Sequence, residues 1–128
     1  MLLAQQSAAN GPGTRPVVKL QCTLSGSVKG ASGLTRAAVC TRFVQRIEDA
    51  LRVRLVEAPS ASGPKGRWIN IQIKLVGPAH AEAAFTSRLG GTVRKHQPIG
   101  VDVMDKRLDL REIDILADAV AEALRTAV

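Results

Sequence analysis

Between Val17 and Ser25 hydrophobic and polar residues alternate. Val18, Leu20, Cys22 and Leu24 fall on one side; Lys19, Gln21, Thr23 and Ser25 fall on the other. A period of two predicts a strand with one buried and one wet face. From Leu34 to Leu51 the period lengthens to that of a helix. Val39, Cys40, Phe43, Val44, Ile47 and Leu51 share a stripe opposite Thr41, Gln45, Glu48, Asp49 and Arg52.

Val53 to Glu57 is short enough for one strand, and Pro59 to Gly66 reads as a loop. From Arg67 to Val76, Ile69, Ile71, Ile73 and Leu75 alternate with Asn70, Gln72 and Lys74. After the turn signal Gly77-Pro78, Ala81, Ala83, Phe85 and Leu89 alternate with His80, Glu82, Thr86 and Arg88, which predicts a hairpin. Gly90 to Pro98 reads as a basic loop or frayed hairpin, and Ile99, Val101 and Val103 as a short last strand.

The final helix has the best-marked start. Asp109 and Glu112 form a capping-box pattern, in which each side chain satisfies a backbone donor of the first turn. Leu108 and Ile113 stand at the staple positions around it, and Ile113, Leu116, Ala117, Val120 and Leu124 make the apolar stripe.

The predicted order is β-α-β-β-β-β-α. Each strand has one apolar face and each helix one apolar stripe. Two layers bury all of these at once: a mainly antiparallel sheet of four or five strands with both helices on one face, an α+β fold. The opposite sheet face stays polar, lined by residues such as Gln21, Thr23, Asn70, Gln72, Lys74, Glu82 and Arg88. Residues 1–16, with Gln, Ser, Asn, Gly and Pro, are expected to form a flexible arm, and 17–128 a single domain.

Composition adjusts this picture in three ways. Aromatics amount to 2%, namely Phe43, Trp68 and Phe85, so the core is aliphatic and stacking on bases or sugars is scarce. The net charge of +7 favours anionic partners. No stretch approaches the roughly 20 apolar residues of a membrane span. Met1-Leu2-Leu3-Ala4-Gln5-Gln6 lacks a basic region before its apolar residues; it reads equally as the tail of a signal peptide or as an ordinary start.

Cys22 lies on the apolar face of the first strand and Cys40 in the stripe of the first helix. Those faces pack against each other, so a disulfide is expected. Its persistence requires an oxidising compartment, the bacterial periplasm or the exterior. Two reduced, buried thiols in a cytoplasmic protein are the alternative.

Catalytic patterns are sparse. His80 and Glu82 share a strand face, but two ligands do not make a metal site. Asp102, Asp105 and Asp109 are explained by capping and by nearby cations. Neither a nucleophile elbow, a phosphate loop nor a dinucleotide fingerprint occurs, so neither catalytic residues, metal nor cofactor is expected. Gly30 to Gly33 precedes a helix start, a weak anion signal without a following Lys-Ser/Thr pair.

The expectation is therefore a non-catalytic accessory protein of the bacterial envelope or exterior. It would act on a protein or an anionic surface through its exposed sheet face, an edge strand or its basic loop. Arg88, Arg94, Lys95, His96, Gln72 and Lys74 are the candidate contact residues. A small subunit of a larger assembly is the second reading. An intracellular nucleic-acid binder is the third, though the cations look dispersed along the chain and such a role conflicts with export. The residues do not set an oligomeric state.

Overall fold

In a computed structural model, residues 15–26, 34–104 and 106–127 are described. Most of the expected arm, the segment Gly30 to Gly33 and Asp105 lie outside them. The elements are β1 (Val17–Ser25), α1 (Arg36–Leu51), β2 (Arg54–Glu57), β3 (Trp68–Val76), β4 (His80–Arg88), β5 (Val93–Lys95), β6 (Ile99–Asp102) and α2 (Leu110–Thr126). The α+β architecture and the run of elements match the sequence reading, with one three-residue strand, β5, added inside the basic loop.

The sheet runs β2-β1-β3-β4-β5, with β6 also paired to β4. It is mixed: three of its five strand pairings are antiparallel, in line with the mainly antiparallel sheet expected, and two are parallel. β1 lies between β2 and β3 and is parallel to both; β3-β4, β4-β5 and β4-β6 are antiparallel. Parallel neighbours require the chain to cross back over a sheet face. Between β1 and β2 the crossover is α1. Between β2 and β3 it is the segment 58–67, which passes over the opposite face. There Ala61 is buried, and its N–H donates to Gln21 Oε1 at 3.2 Å.

β5 and β6 occupy one edge position with a register slip. Thr86 pairs with Lys95 and Ala83 with Ile99, so three steps on β4 face four on the edge. The extra residue is a bulge ending at Pro98, which has no N–H to offer and blunts this edge against pairing. At the other edge the Leu55 N–H donates to Glu48 Oε2 at 2.8 Å, so a helix side chain occupies an edge donor.

The core lies between the helices and one sheet face. Val18, Leu20, Ile69, Ile71, Ile73, Ala81, Ala83 and Phe85 meet Val39, Phe43 and Ile47 of α1 and Ile113, Leu116, Val120 and Leu124 of α2. Cys22 and Cys40 are bonded across this interface with Cα atoms 6.1 Å apart, as expected. Thr35 caps α1, its hydroxyl accepting from the Ala38 N–H at 3.1 Å. At α2 the Asp109 carboxylate accepts from the Arg111 N–H, and Glu112 accepts from the Asp109 N–H. The Arg111 N–H, and secondarily the Lys106 ammonium, hold the Asp109 carboxyl down to about 2. Gly26 ends β1 with φ of 79°, and a Cβ there would strike the Leu75 carbonyl.

Candidate functional site: the open sheet face

Strand parity and register sort the polar residues onto the face away from the helices. β1 contributes Lys19, Gln21, Thr23 and Ser25; β2 contributes Arg54; β3 contributes Asn70, Gln72 and Lys74. From β4 come His80, Glu82, Ala84, Thr86 and Arg88, and from the edge Lys95 and Asp102. Trp68 shares this parity yet is buried, because the crossover loop covers it and Gly63 O accepts its Nε1–H at 2.9 Å. Arg88 donates to Gly66 O and ties the same loop down. Gln21 Oε1 accepts from both Ala61 N and Asn70 Nδ2, so one end of the polar face is roofed.

The other end is open. Two contiguous depressions, each about 180 Å³, form a trough there. One is bordered by Asn70, Thr86, Lys95 and His96, the other by Ser25, Lys74 and Glu82. Gln72, Ala84 and Pro98 belong to both. Ala84 is exposed and forms the shared middle of the floor. The trough thus has a cation at each end and a small apolar centre.

Charge differs between the two layers. On the helix side Arg42 and Arg46 reach Asp114 at 2.9 and 3.2 Å, and Arg46 also reaches Asp118. Arg36 pairs with Glu57, Lys106 with Asp109 and Glu112, and Arg125 with Glu122. Lys19, Arg54, Lys74 and Lys95 on the open face have no carboxylate at ion-pair distance among the described residues. Two carboxylates share that face. Asp102 lies 2.7 Å from His80 Nδ1, and Glu82 lies 3.7 Å from His80 Nε2.

The six candidate contact residues do not all come together. Gln72, Lys74, Arg88 and Lys95 share the open face. Arg94 pairs with Ser87 and lies on the helix-facing side of the edge. His96 is opposite Phe85, to which its N–H is bonded, and its ring stacks on Phe85 with centroids 4.6 Å apart. His96 Nε2 is 2.8 Å from the Ser87 hydroxyl. Burial, and secondarily the Arg94 charge, push the His96 imidazole below its usual range.

A Ser–His pair is a nucleophile arrangement only if a substrate can reach it. Ser87 is 1% exposed, and the charged residue acting on His96 is Arg94, the wrong sign to stabilise an imidazolium. His80 lies on the opposite face from His96, so the two imidazoles share no site. Among the described residues no group of three or more His, Cys, Asp or Glu side chains is arranged to hold a metal. No helix among them is long and apolar enough to cross a membrane.

Sequence reading missed three features: the roof over Trp68, the Asp102–His80 contact and the helix-side pairing of Arg42 and Arg46. The first had a signal. Trp68 has the parity of Asn70 and Gln72, and an indole on a polar face needs a cover and an acceptor.

No family model matches the chain, and no curated protein matches it. Among solved structures, a crystal structure of an uncharacterised protein is 12% identical, covering 88% of this chain and 89% of that one, with a TM-score of 0.49. The crystal structure of the Thermus thermophilus Protein Y N-terminal domain is 13% identical, covering 88% and 99%, with a TM-score of 0.44. Neither likeness bears on function.

Proposed function

We propose that this chain is a non-catalytic binding protein of an oxidising compartment, periplasmic or secreted, that presents its open sheet face to an anionic protein partner. One observation carries the reading. Arg36, Arg42, Arg46, Lys106 and Arg125 on the helix side are paired with carboxylates of their own chain, whereas Lys19, Arg54, Lys74 and Lys95 on the open face have none at ion-pair distance among the described residues. Unpaired cations on a sheet face attract and orient an anionic partner. The Cys22–Cys40 bond supports the compartment, since such bonds persist where thiols are not continually reduced.

Retention on a dextran sulfate resin tests the binding role. Lys74→Glu with Lys95→Glu should elute at markedly lower salt than the parent. Arg111→Glu, an exposed change on α2, should elute close to it. Co-elution of the double variant with the parent would refute the reading. For the compartment, material purified from its native host should carry the cystine by intact mass; two free thiols would contradict export.

A further inference from the structure

Resting on that reading, we infer that the trough seats an extended acidic segment of the partner, with carboxylates near Lys74 and Lys95 and small apolar residues over Ala84. Charge complementarity and shape agree. Lys95 borders one depression, Lys74 the other, and Ala84 and Pro98 join them without charge. Lys74 pairs with Glu82 on β4, and Lys95 with Thr86, four residues further along. With strand rise and spacing, the two lysine Cα atoms lie roughly 16 Å apart on the diagonal. Acidic side chains four residues apart on an extended segment point the same way and lie ~13 Å apart, a difference flexible lysine stems absorb.

Other occupants fit less well. Bases need aromatic faces, and the one indole of this face, Trp68, is 4% exposed beneath the crossover loop. A partner strand added at an edge meets Glu48 on one side and the Pro98 bulge on the other. Glu82 borders the Lys74 end of the trough, and its nearest charged neighbour is His80 Nε2 at 3.7 Å. Standing opposite Lys74 in the register, it confines an acid at that end to the side of Lys74 away from Glu82, and Ala84 alone occupies the middle of the diagonal.

Fluorescence anisotropy with two labelled peptides of equal composition tests this. One carries aspartates at its first and fifth positions around three apolar residues; the other carries them adjacent. The spaced peptide should bind about five-fold or more tighter. Ala84→Trp should weaken it about ten-fold by filling the floor. Ala84→Ser, which leaves the floor open, should bind like the parent and controls for folding, together with circular dichroism of each variant. Equal binding of the two peptides, insensitivity to Ala84→Trp, or preference for phosphatidylglycerol vesicles or single-stranded DNA over the spaced peptide would overturn the inference. Those results with retention still dependent on Lys74 and Lys95 would leave a diffuse cationic surface; loss of that dependence would remove the underlying reading as well.

Discussion

The helix layer and the open sheet face use the same side chains to opposite ends. Arg42 and Arg46 stand one turn apart on α1 and meet Asp114 and Asp118 one turn apart on α2, so the two helices run in the same direction with their charges matched. Lys74 stands opposite Glu82 and Lys95 opposite Thr86, and neither lysine has a carboxylate at ion-pair distance among the described residues. The helix layer also carries the disulfide and the capping network. A basic net charge therefore says little until the paired and unpaired cations are separated. In this fold the arginine–aspartate network of the two helices lies on one side of the sheet, and Lys19, Arg54, Lys74 and Lys95 lie on the other.

Perturbing the closed side should show first in stability. Replacing both Cys22 and Cys40 by Ser removes a link spanning 18 residues. It should cost about 3 kcal/mol in the chain-entropy account, read by denaturant unfolding with the slope monitored. A cost near zero would mean the link does not hold α1 to the sheet.

Next in size is Asp114→Ala. It strands Arg42 and Arg46 at a partly buried contact, and a loss of about 1 to 2 kcal/mol is expected, held down by the partial exposure of both arginines. The matching change on the open side, Lys74→Glu with Lys95→Glu, should move stability by no more than ~0.5 kcal/mol while removing polyanion retention. Equal stability losses from the two sides would dissolve the contrast between them.

The smallest expected effect lies at the edge where the sides meet. The His96 imidazole is pushed below its ordinary 6.5 by burial and by Arg94, so the fold prefers the neutral ring. The unfolded chain then takes up the proton first as pH falls. Stability from this group is present above 6.5 and is lost as pH falls through 6.5 toward the lower folded value. Comparing thermal unfolding of the parent and His96→Gln between about pH 7 and pH 5 isolates it: the parent should lose more. Parallel curves would mean the ring is already solvated.

Much of this architecture was legible from periodicity. The alternation in β1 and β3 set which residues face the helices, and the stripe through Cys40 set which sulfur Cys22 meets. Asp109, Glu112, Leu108 and Ile113 marked the start of α2 to the residue. The parallel placement of β1 beside β3 was not legible, because alternation fixes a strand's faces and leaves its neighbour and direction open. The basic segment is a short hairpin edge, and the division of its side chains was not legible for a related reason. Arg94, Lys95 and His96 are adjacent in sequence, but in an edge strand adjacency sends side chains to opposite faces, so Lys95 joins the trough while His96 turns inward onto Phe85. The pairing of Arg42 with Asp114 spans 72 positions and depends on how two helices align, which neither helix encodes alone.

An amide-resolved NMR titration with the spaced acidic peptide tests the central claim most directly. The account predicts shifts confined to residues 70–74, 82–86 and 93–98, abolished by Lys74→Glu with Lys95→Glu. Shifts centred on α1 or α2, or a spectrum unmoved by the peptide, would contradict it.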